Sequence, residues 1–225
     1  MIKVLLVDDH DLIRRGVRSL LVQKPGIEIV GEAGTGEEAI AFVKKEKVDI
    51  ILMDIQMPGI GGLEATRRIA ICSPDTRVIA MTVYAGQPYP ARFLEAGAMG
   101  YLTKGCNAEE IIKAVHAVYN GHRYINAEVA QQIALHSFEK GKQYSTDKLS
   151  DRELNVMMMI VHGKHAADIA KDLHVELKTV NTYRYRIFEK LDVHSDVELT
   201  LLAMRLGMIE NTYSLTLQDT PMLAS

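Results

Sequence analysis

The sequence predicts a doubly wound α/β domain built on a five-stranded parallel sheet, followed by a small all-α domain. Three observations carry that prediction. Short apolar runs at residues 2–7, 27–30, 48–55, 78–81 and 100–103 alternate with amphipathic stretches of helical length, and strict β–α alternation implies a parallel sheet covered by helices on both faces. The run at 48–55 is rich in β-branched residues, too short for a helix and apolar nearly throughout, as a strand buried on both faces is. Beyond residue 149 the apolar residues recur only at helical spacing.

Taken in order, the first strand ends in Asp8-Asp9, and residues 11–22 carry Leu12, Val17, Leu20 and Leu21 on a helical repeat that stops before Pro25-Gly26. His10, beside the acids, reads as the loop residue that starts this helix rather than as a metal ligand. Thr35-Gly36-Glu37-Glu38 is a capping box opening a second helix that runs to Lys45. The third strand ends at Asp54 and is closed off by Pro58-Gly59; a helix over 63–71 follows Gly61-Gly62. The fourth strand ends in Thr82, a helix over 91–96 follows Pro88 and Pro90, and the fifth strand ends in Lys104. Asn107 then caps a helix through Tyr119.

The pattern weakens over 122–147, which is read as a linker. Val129, Ile133, Ala134 and Phe138 share one face of a short helix after Asn126, and 141–148 has linker composition. The first domain is therefore placed at 1–121, the second at 148–211, and a tail without interpretable motif at 212–225. In the second domain Ser150-Asp151-Arg152-Glu153 is a capping box. Helices are expected at 151–161, 166–173 and 178–191, and Ser195 caps a last one through Leu206, stopped by Gly207. Met157-Met158-Met159 reads as core filling. Gly163 between His162 and His165 breaks the regular face that a helical metal pair requires, so a zinc site is discounted.

Bulk properties narrow the classes. The 225 residues carry a formal net charge of −3, so no global basic field points to nucleic acid. Cys72 and Cys106 have no metal-like spacing and suggest no disulfide framework. The first apolar run is too short for a signal peptide and no stretch reaches the length of a membrane span. A cytoplasmic protein is expected.

The chemistry concentrates at strand ends. Chemistry in open α/β sheets gathers at the carboxyl edge, and here four strand ends deliver Asp8 and Asp9, Asp54, Thr82 and Lys104 to that edge. A lone Asp at a strand end usually caps a helix, but three carboxylates together repel one another unless a cation sits among them. An oxygen-only cluster suits Mg2+. This arrangement over 1–121 resembles the receiver domain of bacterial two-component response regulators. The resemblance implies that Asp54 is the phosphoacceptor and that Asp8, Asp9, Asp54 and the Gln56 carbonyl hold Mg2+, Asp8 mainly through water. It further implies that Lys104 holds a phosphoryl oxygen and that Thr82 and Tyr101 form the switch pair. Gly105 stands where many receivers have proline.

On the helix over 178–191, Val180, Ile187 and Leu191 form a narrow stripe at about 100° per residue. Lys178, Thr182 and Tyr185 point the opposite way, with Asn181 and Arg186 on the flanks. Hydrogen-bonding groups mixed with cations are what a major-groove reader needs. Leu149 to Glu153, Asp168-Ile169-Ala170, Lys178-Thr179-Val180-Asn181 and Lys190-Leu191 together resemble the LuxR/NarL type of helix-turn-helix. With the first domain this gives the NarL/FixJ class of response regulators, and residues 57–67 and 183–188 resemble its GacA/UvrY/LetA subgroup. The resemblance assigns base reading to Asn181, Thr182 and Tyr185. Lys178, Thr179, Arg184 and Arg186 match phosphate-contacting or nearby positions, and Glu176 replaces the usual Ser N-cap.

Three functions compete at this stage. The reading adopted is a DNA-binding transcription factor, not an enzyme, controlled by a sensor histidine kinase or its phosphotransfer domain, dimerising when phosphorylated and acting with RNA polymerase. An alternative is a Mg2+-dependent phosphohydrolase using Asp54, but the acid such enzymes want two residues on is Gln56 here. A further alternative is an adaptor whose C-terminal helices bind only protein.

Overall fold

The computed structural model describes residues 1–22, 24–82, 89–127, 129–131, 146–206 and 208–209. Parallel strands β1 (Ile2–Val7), β2 (Ile27–Ala33), β3 (Ile50–Asp54), β4 (Arg77–Thr82) and β5 (Gly100–Thr103) alternate with helices α1 (Asp11–Val22), α2 (Gly36–Val43), α3 (Gly61–Cys72), α4 (Tyr89–Glu95) and α5 (Ala108–Tyr119). A two-residue strand, β6 (Tyr124–Ile125), completes the order β2-β1-β3-β4-β5-β6.

The sheet thus has one strand more than the five expected. Tyr124 and Ile125 pair in parallel with Gly100 and Tyr101, so the backbone edge of β5 is partnered instead of open. Two residues leave no period to read, which is why this strand is invisible in the sequence. The sheet also carries the first domain's hydrogen-bonded structure past residue 121. Asn126 continues it: its side chain donates to Thr103 Oγ1 at 3.2 Å and accepts the Val129 N–H. Ile133, Ala134, Phe138, the 141–145 stretch and the 212–225 tail lie outside the described residues.

Successive strand residues point to opposite faces, and both faces are covered. Val4, Leu6, Ile50 and Leu52 pack with α1 and α5 through Leu21, Ile111 and Val115. Leu5, Val7, Ile51 and Met53 pack with α2 and α3 through Ala39, Ala65 and Ile69. This double burial is the physical origin of the uninterrupted apolar runs, each aliphatic side chain contributing about 1.5–3 kcal/mol on full burial. Thr35 caps α2 by accepting the Glu38 N–H, and Asn107 caps α5 by accepting that of Glu110.

A 3-10 turn at Thr146–Lys148 leads into α6 (Asp151–Val161), α7 (Ala166–Asp172), α8 (Leu177–Leu191) and α9 (Asp196–Arg205). Ser150 and Glu153 form the full reciprocal capping box. Met157 and Met158 are buried with Leu154, Ile169, Val180, Ile187 and Leu199, in agreement with a core role. Glu153 is buried too; its carboxylate receives the Ser150 backbone N–H, the Ser150 hydroxyl and the Lys190 ammonium. Those partners outweigh burial and hold its carboxyl below the usual range.

The two domains share one apolar cluster. Ile55, Leu63, Tyr89 and Phe93 of the first continue into Leu149, Leu154 and Met158 of the second. Polar contacts fasten its rim. Asp172 O accepts the Gly59 N–H at 2.9 Å, Arg152 donates to Gly59 O, and Arg92 donates to the carbonyls of Thr146 and Leu149.

Candidate functional site

The strand order reverses between β1 and β3, and the residues at the carboxyl ends of these two strands face the resulting crevice. Asp8 and Asp9 follow β1, Asp54 ends β3, Thr82 ends β4 and Lys104 follows β5. Asp54 is held there by a close helix approach. A Cβ on Gly62 would stand 2.0 Å from the Asp54 carbonyl oxygen, so only glycine lets α3 begin directly against the strand end. The Gly62 N–H donates to Ile55 O, and Gln56 N–H donates to Asp54 Oδ1 at 3.3 Å.

The site brings together nearly every residue expected of it. Lys104 Nζ lies 2.6 Å from Asp8 Oδ2 and 2.9 Å from Asp54 Oδ2. Its contact with Asp54 Oδ2 is that of a counter-ion, and this buried oxygen makes no hydrogen bond of good geometry. Asp8, Asp9, His10 and Asp54 each offer an atom within 4.8 Å of the others. Three carboxylates against one ammonium leave an excess of negative charge in a crevice where Asp8 and Asp54 are almost fully buried.

Electrostatics follow from that imbalance. Burial, reinforced by Asp8, pushes the Asp54 carboxyl up to about 7 although Lys104 and the Gln56 N–H oppose the rise. Burial pulls the Lys104 ammonium down, but Asp54 and Asp8 prevail and leave it raised. The donor set of oxygens with an unneutralised charge fits a hard divalent cation such as Mg2+.

Thr82 and Tyr101 are both buried, on adjacent strands two residues apart in register and so on the same face of the sheet. Burial, then the neighbouring Tyr89, hold the Tyr101 phenol well above its ordinary range, and the Thr82 hydroxyl acts the other way. The Tyr101 ring stands edge-on to Phe93 at 6.2 Å. Tyr89 and Phe93 belong to the cluster shared with the second domain, so the aromatic chain runs from the Thr82 strand end to the domain interface.

Residues 4–116 match the response regulator receiver domain, and residues 147–203 match the bacterial regulatory proteins of the luxR family. The chain is 50% identical over 209 residues to the response regulator UvrY of Escherichia coli K12, covering 92% of this chain and 96% of UvrY. This chain is a response regulator of the LuxR family. It is also 48% identical over 211 residues to the response regulator GacA of Pseudomonas aeruginosa, covering 93% of this chain and 99% of GacA. Among solved structures it resembles the RcsB response regulator of Salmonella typhimurium with a TM-score of 0.70 at 23% identity, over 92% of this chain and 98% of that one. The family makes this response regulator a transcription factor of a two-component system, not an enzyme.

The second domain of the response regulator presents α8 outward. Val180 and Ile187 are buried, while Lys178, Thr182, Tyr185 and Arg186 are exposed and Asn181 is half-buried beside them. Tyr185 is 73% exposed, which sets it apart from the core aromatics. Glu176, at the N-cap, makes no side-chain capping bond and instead pairs with Lys178 at 2.8 Å. Thr182 bonds back to the Lys178 carbonyl. Arg184 is engaged within the domain: it pairs with Asp196 at 2.8 Å and lies 5.3 Å over the Phe188 ring.

Several functional groups were not legible in the sequence. The Arg152–Gly59 and Asp172–Gly59 contacts join residues more than a hundred positions apart or nearly so, and no local pattern encodes them. The Gly61-Gly62 doublet just after the acid was a usable signal for close approach of α3. His10 starts α1 as expected, its carbonyl accepting the Ile13 and Arg14 N–H groups, yet its ring also reaches the acids, Nδ1 standing 2.8 Å from Asp9 Oδ1.

Proposed function

We propose that this response regulator is activated by Mg2+-dependent phosphorylation of Asp54 by a sensor histidine kinase or its phosphotransfer domain. Phosphorylation then promotes dimerisation and binding to promoter DNA. The observation that carries this reading is the single crevice in which Asp8, Asp9, Asp54 and Lys104 meet, coupled through Tyr101 and Phe93 to the face that holds the helix-turn-helix domain.

The division of labour follows from chemistry. Asp54 attacks phosphorus as a carboxylate, forming an acyl phosphate as the P–N bond to the donor histidine breaks and its imidazole leaves, so the raised Asp54 carboxyl must first lose its proton. Lys104, already beside Asp54 Oδ2, neutralises charge on the transferred oxygens, as cations do at other phosphoryl-transfer sites. Asp9 and Asp54, with the Gln56 carbonyl, would hold Mg2+, and Asp8 would act on it mainly through water. When bound, Mg2+ supplies positive charge to the phosphoryl oxygens and favours the ionised form of Asp54. Thr82 and Tyr101 carry the change outward as the switch pair.

On the DNA side, Asn181, Thr182 and Tyr185 read base edges, while Lys178, Thr179 and Arg186 contact phosphates. Arg184 stays beside Asp196 and positions the helix. With promoter DNA as its target, the protein acts in the cytoplasm, alongside RNA polymerase.

The test is labelling by a radioactive acyl phosphate with Mg2+, followed by genome-wide DNA capture. Wild type should take up one slowly lost label, Asp54→Ala none, and Asp9→Ala should lose Mg2+ dependence with most of the rate. Label at wild-type level on Asp54→Ala would overturn the assignment. Repeated turnover would favour a hydrolase, and loss of captured promoters in Asp54→Asn would tie the label to transcription.

A further inference from the structure

The acid crevice holds one group that the phosphorylation chemistry does not use. His10 is exposed over 64% of its side chain, and its ring stands beside two of the acids. Its backbone N–H donates to Asp8 Oδ1 at 2.8 Å, and Nδ1 lies 2.8 Å from Asp9 Oδ1 and 3.4 Å from Asp8 Oδ1. One ligand atom from each of Asp8, Asp9, His10 and Asp54 falls within 4.8 Å of all the others. Ligands on opposite sides of a small divalent ion are about 4.2 Å apart, twice a bond of about 2.1 Å. Small side-chain adjustments would therefore bring all four onto one ion.

We propose that His10 makes this crevice a mixed oxygen–nitrogen site that takes divalent transition ions as well as Mg2+, with the imidazole as a direct ligand only to the former. The inference rests on the reading of the acids as a metal site and adds a residue and a class of ion to it.

The argument is one of ligand preference. Mg2+ sheds water reluctantly and prefers oxygen donors, so its open positions stay hydrated and the imidazole remains outside. Co2+, Ni2+ and Zn2+ accept imidazole readily, and the ring already stands over the carboxylates. The Asp54 Oδ2 atom is buried without a hydrogen bond, its close cation being the Lys104 ammonium. Asp8 and Asp54 thus face inward, and Asp9 and the imidazole stand on the solvent side. An ion has a route in, because a cavity of about 330 Å³ borders Asp9, His10 and Gln56.

The consequence is a regulator whose crevice responds to which divalent ion is present. An ion with an imidazole bond would be held longer and would pin the start of α1 to the acids. Mg2+ would leave that end of the helix as it is.

The experiment uses the full chain and Mg2+, Ni2+ and Co2+ themselves as probes. Affinities are measured by titration calorimetry on wild type, His10→Ala, His10→Gln and Asp9→Asn, with thermal unfolding to verify folding. The visible absorption of bound Co2+ reports nitrogen ligation. Partners outside the coordination sphere are worth about 10–100-fold in metal affinity, so loss of His10 as a ligand should cost at least about tenfold for Ni2+ and Co2+. It should leave Mg2+ affinity within about twofold and should change the Co2+ spectrum. Asp9→Asn should weaken all three ions. Equal Ni2+ and Co2+ affinities in wild type and both His10 variants would overturn the inference while leaving the Mg2+ reading intact. Failure of wild type to bind Mg2+ would sink the underlying site instead.

Discussion

Arg67 and Asp151, 84 positions apart in the chain, form a 2.7 Å ion pair between α3 of the receiver and the first turn of α6. Arg92 approaches the same carboxylate at 3.2 Å, so one acid of the helix-turn-helix domain gathers two receiver cations. Arg67 is half exposed, and exposed pairs of this kind contribute about 0–1 kcal/mol. The larger share of the docking energy must come from the apolar cluster joining Leu63, Tyr89 and Leu154. Asp151→Ala should therefore loosen the interface by at most a few-fold in population. Leu154→Ala should do more, since truncating a buried leucine costs about 2–5 kcal/mol. Small-angle scattering of the unphosphorylated protein would register both, and an Asp151→Ala effect larger than that of Leu154→Ala would show the ion pairs to be dominant.

The raised Asp54 carboxyl has a consequence for stability whose sign can be worked out. In the unfolded chain the group ionises near 3.8, and in the fold near 7. Between these values the folded state binds more protons than the unfolded state, so stability falls as pH rises from about 4 to about 7 and then levels off. Asp54→Asn removes the titration. The difference in melting temperature between Asp54→Asn and wild type should widen in favour of the variant across that range. Saturating Mg2+ should narrow it by favouring the carboxylate. A difference independent of pH would mean that Asp54 ionises at an ordinary value.

Gly62 is expected to tolerate no side chain. Its absent Cβ would meet the Asp54 carbonyl oxygen at 2.0 Å, a backbone atom that cannot swing away. Overpacking of this kind costs about 1–3 kcal/mol, and the relief available is a shift of α3 away from the strand end. Gly62→Ala should therefore lower both thermal stability and labelling of Asp54. Gly16, with nothing near its Cβ position, provides the contrast: Gly16→Ala lies inside α1 and should stabilise by up to about 1 kcal/mol.

How much of this was readable beforehand depends on the range of the interaction. The five long strands were legible because burial on both faces turns them into continuous apolar runs, and the caps at Thr35, Asn107, Ser150 and Ser195 because each bonds a residue three positions on. The acids and Lys104 were legible because strand ends in a parallel sheet share one edge. The β6 pairing was not, since two residues show no alternation. Nor was the interface at Gly59, Arg92 and Asp151, where each contact depends on how two finished domains meet. Arg184 shows the same limit within a domain: the family resemblance puts it at a phosphate-contacting or nearby position, and its pairing with Asp196 on the next helix has no local signal in the sequence.

That placement separates the two arginines of α8 by experiment. Arg186 is exposed and Arg184 is partly buried against Asp196 and Phe188. Arg186→Ala should weaken binding to specific and random DNA alike and reduce the salt dependence by about one unit, as loss of a phosphate contact does. Arg184→Ala should chiefly lower the melting temperature of the second domain and leave the salt slope nearly unchanged. Asn181→Ala should behave differently from both, costing about 1–3 kcal/mol at the specific site while barely touching random DNA. Affinities over a salt series, on a captured promoter fragment and on random duplex, distinguish the three. Equal losses on both DNAs for Asn181→Ala would remove it from the base-reading set, and a lowered salt slope for Arg184→Ala would return that residue to the phosphate-contacting group.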